Sequence, residues 1–135
     1  MIRAQVAQEL KDAGLIWKPA PGDRFVIPDR DLDEDVFVLS NMTIEVYPVP
    51  EGQVIGFNGT TEWALDDVEF GEALWLPRED QLRELLAGTF RALRRTDTGY
   101  DVDITLLGED RTFTAGSPED GYAAALLHLL AAAGL

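Results

Sequence analysis

Few side chains here have the type and spacing that chemistry requires, and most of those are acids. Residues 29–35 read Asp-Arg-Asp-Leu-Asp-Glu-Asp. Asp29, Asp31 and Asp33 stand where an EF-hand loop places its first three oxygen ligands, and Asp35 extends the series. The sixth position needs glycine for a sharp turn and holds Glu34. The twelfth needs a bidentate glutamate and holds Ser40. The pattern therefore predicts at most a weak, irregular Ca²⁺ or Mg²⁺ site at Asp29, Asp31, Asp33 and Asp35, on a solvated loop between strands. His128 is the single histidine and there is no cysteine, so a multi-histidine or thiolate metal centre is excluded. Ser117 and Ser40 are the only serines a triad could use. Ser117 reads as a helix cap, Ser40 precedes a turn asparagine, and no G-x-S-x-G elbow exists. Phosphate-binding glycine loops of either kind are also missing, and no lysine follows Lys18. No catalytic residue and no cofactor is expected.

Charge is more informative than any motif. Twenty-five acids against eleven bases give −14, which disfavours nucleic-acid backbones and anionic membranes. Residues 31–77 hold eleven acids and no base, and Arg30 and Arg78 bracket them. Trp63, Phe70 and Trp75 are interleaved with Asp66, Asp67 and Glu69 in that stretch. These six residues form the candidate binding surface, an acidic face with aromatic anchors for a basic protein partner. The alternative is a small enzyme or ligand-binding domain using carboxylates around a pocket lined by Trp17, Trp63 or Trp75. Crowded negative charge also predicts raised carboxylate pKa values, with stability steady or slightly higher between about pH 7 and 5.

The elements that must position these residues follow from periodicity. Ile2, Val6, Leu10 and Ala13 predict a first helix over about 2–13, closed by Gly14. Pro19 and Pro21 keep the next stretch out of helix. Short β-branched and aromatic runs at 24–27, 36–39, 43–47 and 53–57 predict an antiparallel meander. Residues 59–76 carry no clear period. Leu82, Leu85, Leu86, Phe90 and Leu93 form one stripe, predicting a second helix over 78–95, opened by Pro77 and ended by Arg91, Arg94 and Arg95. Tyr100, Val102, Ile104 and Leu106 alternate with polar residues, turning at 108–110 into a strand over 111–115. Ser117-Pro118-Glu119-Asp120 opens a last helix burying Tyr122, Leu126, Leu129 and Leu130. The expectation is one α+β domain over 1–135, with about six antiparallel strands and three helices in the order α-β-β-β-β-α-β-β-α.

Residues 54–66, Val-Ile-Gly-Phe-Asn-Gly-Thr-Thr-Glu-Trp-Ala-Leu-Asp, and 72–82, Glu-Ala-Leu-Trp-Leu-Pro-Arg-Glu-Asp-Gln-Leu, carry a resemblance. They are similar to a family of small acidic bacterial proteins of unknown function, often automatically labelled "pilus assembly protein". The protein family properly of that name is a P-loop ATPase, and this chain has no such loop. The resemblance thus implies no activity and transfers no catalytic residue. Arginine far outnumbers lysine and alanine is abundant, as in GC-rich bacterial genomes. No run reaches the ~18 apolar residues of a membrane helix and no secretory signal is legible, so a cytoplasmic protein is expected. Partner and oligomeric state are not legible.

Overall fold

A computed structural model describes residues 1–28, 32–39, 45–49, 52–56, 67–69 and 72–133. The chain is α+β, and among the described residues it has three α-helices and nine strands. These are α1 (Ala4–Asp12), β1 (Arg24–Ile27), β2 (Leu32–Val38), β3 (Glu45–Val49), β4 (Gly52–Gly56), β5 (Asp67–Glu69), β6 (Leu74–Leu76), α2 (Glu79–Leu86), β7 (Phe90–Arg95), β8 (Tyr100–Leu106), β9 (Glu109–Ala115) and α3 (Pro118–Ala132). The strands form three antiparallel sheets, ordered β2-β1-β6, β3-β4-β5 and β7-β8-β9, rather than the single sheet of about six strands expected. Two compact units hold them: Met1–Ile16 with Pro77–Leu135, and Trp17–Leu76.

In the first unit, α3 packs on α1, α2, β8 and β9. Its start follows the sequence reading: Ser117 accepts a 3.2 Å bond from the Asp120 N–H, and Pro118 stands at the first helical position. Tyr122 and Leu126 are buried, Leu129 and Leu130 half-buried. With Leu10, Leu82, Leu86, Val102 and Ile104, none more than 1 % exposed, they make the core. Gly121 permits the close approach of α3 to β8, because a Cβ there would stand 2.8 Å from Val102 Cγ2.

The second helix is shorter than its apolar stripe implied. It ends at Leu86, and Phe90–Arg95 is a strand. Ala87 enters positive φ (50°), and the Thr89 hydroxyl donates to the Leu86 carbonyl at 2.6 Å, satisfying a helix-end acceptor. Phe90–Arg95 then takes its hydrogen bonds from β8, with Leu93 opposite Val102 and Arg94 opposite Asp101. Cross-strand pairing outweighs helical propensity here because β8 supplies both the ladder and two aspartates that hold Arg94. Helix α2 itself starts at Glu79, two residues after Pro77, where Gln81 Oε1 accepts the Arg78 N–H at 2.9 Å.

The β8–β9 turn also shifts. Leu107 (φ 52°) and Gly108 (φ 81°) form a two-residue connection, so β9 begins at Glu109. Leucine in that conformation costs about 1–2 kcal/mol relative to a right-handed one.

In the second unit the core is an aromatic row. Phe37, Phe25 and Trp75 stand in register on β2, β1 and β6. Trp17 packs over the row, 5.6 Å from Phe25 and 6.4 Å from Trp75, with Ile27, Leu39 and Ala73 around it. The expected meander holds only pairwise. β1 pairs with β2 and β3 with β4, but the second neighbour of β1 is β6, nearly fifty residues on.

Candidate functional site

The acidic candidates fall within the Trp17–Leu76 unit. Asp67 and Glu69 lie on β5, paired with Gly56 and Val54 of β4. Trp63, Asp66 and Phe70 lie outside the described residues, as do Asp29 and Asp31 of the candidate cation site. Asp33 and Asp35 are on β2, and Asp35 is exposed. From Leu32 onward the expected acidic loop is therefore a strand, because the chain there pairs with β1 through Leu32, Phe37 and Val38.

Trp75 is half-buried, and its ring stacks on Trp17 at an interplanar angle of 10°. Its indole Nε1 is buried and has no hydrogen-bond partner among the described residues. Trp17, by contrast, is fully satisfied: its Nε1 donates to Asp23 Oδ2 at 2.9 Å, and the Ala20 N–H donates to the same oxygen at 3.0 Å. Asp23 is only 2 % exposed, and its own carbonyl accepts the Leu39 N–H at 2.9 Å. No role for Asp23 is assigned from the sequence. The signal was a lone acid six residues beyond a tryptophan, in a segment whose prolines force the chain to fold back.

The first unit presents a second polar surface on β7-β8-β9. Arg94 grips Asp103 with two bonds, Nε to Oδ2 at 2.8 Å and Nη2 to Oδ1 at 2.9 Å, and reaches Asp101 at 3.6 Å. Thr112 and Thr114 donate to Asp103 and Asp101, each at 2.7 Å. Thr105 donates to Asp110 at 2.6 Å, and Arg111 pairs with Glu109 at 3.1 Å. Arg91 bonds the Gly88 and Phe90 carbonyls. Arg91, Arg94, Asp103, Thr105, Arg111 and Thr112 are among the residues that line a shallow concavity of about 510 Å³. Arg94 and the two aspartates of β8 pair with one another, so the arrangement is a network that ties the three strands of the sheet together. His128 packs its ring 5.7 Å from that of Phe113. Among the described residues no group of three His, Cys, Asp or Glu side chains could hold a metal ion.

The Arg94 hydrogen bonds hold the Asp103 carboxyl below the usual carboxylate range, with Thr112 adding to the effect. That is opposite to the general upward shift expected from crowded negative charge. A depressed folded pKa means the native state binds fewer protons than the unfolded one. The stabilisation is present at neutral pH and is lost as pH falls through the folded value. Asp103→Asn should therefore melt slightly lower than wild type at pH 7 and converge with it below about pH 4, the difference being small throughout because exposed pairs contribute little. Melting curves of both proteins across that range decide it; parallel curves would show that the pair carries no acid sensitivity.

The chain matches no family model, no curated protein and no solved structure. No helix among the described residues is long and apolar enough to cross a membrane.

Proposed function

We propose that this protein is a non-enzymatic binding module that captures a basic protein partner on its Trp17–Leu76 unit. One observation carries the reading: negative charge is concentrated in that unit. It holds thirteen acids against three bases, a net −10, whereas the remainder of the chain holds twelve against eight, a net −4. A field of one sign over a compact body raises the encounter rate with oppositely charged partners and discourages wrong ones. Asp66, Asp67 and Glu69 contribute to this charge, with Trp63, Phe70 and Trp75 as candidate anchors. The resemblance to small acidic bacterial proteins agrees with the reading but supplies no activity.

The test is retention of proteins from a bacterial lysate on the immobilised chain. Basic proteins should be held at about 0.05 M NaCl and released at about 0.5 M, where screening reaches within roughly 4 Å. The triple variant Asp66→Asn, Asp67→Asn, Glu69→Gln should retain less. Recovery of no partner at either salt would sink the proposal.

A further inference from the structure

We infer that β2 receives an extended basic peptide as an added strand along its free edge. The inference rests on the binding-module reading and names the place and shape of the ligand. In its sheet, β2 is the end strand, with β1 as its one neighbour among the described residues. The phase of its backbone is set next door: the Leu39 N–H donates to the Asp23 carbonyl across to β1. Alternation then aims the N–H and C=O of Val38 away from β1, toward the open side. The ladder to β1 is also interrupted. Phe37 faces Phe25 and Leu32 faces Ile27, so residues 33–36 have no Cα partner on β1. Among the described residues no strand pairs with β2 on the side away from β1, and that edge is the one offered to another chain.

The side chains fit the same ligand. Val36 and Val38 are 40 % and 61 % exposed and lie two residues apart, on the side of β2 opposite Phe37. They offer apolar contacts to alternate residues of an added strand. Asp33, Glu34 and Asp35 stand on the same strand, in the stretch of 31–77 that contains no base. Two copies of β2 paired with each other would set these acids against one another, which disfavours self-association at this edge. A strand bearing lysine or arginine reverses that sign. The charge therefore rejects a second copy and selects a basic peptide with apolar residues at every other position.

The experiment uses the full chain and a fluorescently labelled synthetic peptide alternating lysine and valine, followed by anisotropy at about 0.05 M NaCl. A control peptide carries the same lysines with proline in place of valine; it keeps the charge and cannot pair as a strand. The alternating peptide should bind, and the proline peptide should bind at least about tenfold more weakly. Val38→Pro, which deletes the outward N–H, should cost a similar factor. Because a proline could disturb the strand itself, Val36→Lys with Val38→Lys serves as a second variant at exposed positions, and should weaken binding as much. Equal binding of both peptides, unchanged by either variant, would overturn the edge inference while leaving the acidic module standing. Binding of neither peptide also overturns it; the lysate experiment, which does not depend on β2, then decides the module reading separately. A dimer in sedimentation that Val38→Pro dissolves would name a second copy as the occupant and overturn the inference too.

Discussion

Replacing Asp23 with alanine is expected to destabilise the Trp17–Leu76 unit by about 3–5 kcal/mol. The side chain is 2 % exposed and accepts hydrogen bonds from the Trp17 indole and the Ala20 amide. Each bond to a carboxylate contributes about 1.5–3 kcal/mol, and a buried donor left without a partner costs about 1–3 more. Against a typical domain stability of about 5–15 kcal/mol, that is a large fraction of the total. Trp17 sits against Phe25 and Trp75, so loss of its anchor loosens the whole aromatic row. Asp23→Asn keeps an acceptor oxygen and should lose less than half as much. All three tryptophans lie between residues 17 and 75, so tryptophan emission during urea unfolding reads this unit. A midpoint for Asp23→Ala within error of wild type would show that the buried bond contributes nothing net.

Gly99→Ala should be the most damaging single-methyl change in the other unit. A Cβ at Gly99 would overlap the backbone carbonyl of Ala115 and crowd Gly116 Cα at 3.4 Å. That carbonyl cannot step aside, because Ala115 is fixed opposite Tyr100 at the end of the β8–β9 ladder. Overpacking of a site with yielding side chains costs about 1–3 kcal/mol, and backbone overlap belongs at or above the top of that range. Gly116→Ala is the matched control. Nothing lies within 4 Å of its Cβ position, and no positive φ opposes the change. There the reduced freedom of the unfolded chain should make alanine neutral or stabilising by up to about 1 kcal/mol. Circular dichroism melts of the two variants compare them directly. Equal melting temperatures would mean that the hairpin end relaxes freely and that the overlap is not a constraint.

Local features of the sequence determined those parts of this protein whose causes are themselves local. Ile2, Val6 and Leu10 with Gly14 mark α1, where three-and-four spacing and a residue tolerant of φ 112° suffice. Ser117 and Pro118 mark the start of α3, since a hydroxyl acceptor and a missing N–H meet the needs of a helix N-terminus. The alternation of Val102 and Ile104 with Asp101 and Asp103 marks β8, because a strand segregates its two faces with period two. The concentration of acids over 31–77 is likewise a fact of sequence, though only the division at Trp17 and Leu76 shows that one compact unit carries it.

The tertiary structure decided what depends on a partner distant in the chain. Phe90 and Leu93 continue the helical stripe of Leu82 and Leu86, and nothing local says otherwise except Gly88 and Thr89. It is β8, offering Val102 opposite Leu93 and Asp103 as a clamp for Arg94, that makes the segment a strand. Leu74–Leu76 has three residues and no readable period, and becomes β6 because Phe25 lies opposite Trp75. The acidic run at 32–35 was legible as solvated charge and became strand for the same reason: β1 supplies the ladder at its ends. Asp23, an ordinary turn residue by composition, became a buried acceptor only when Trp17 folded back onto it. Propensity and capping act within a few residues and are printed in the chain; pairing and burial act between residues far apart in it, and only the folded chain selects among the partners that composition allows.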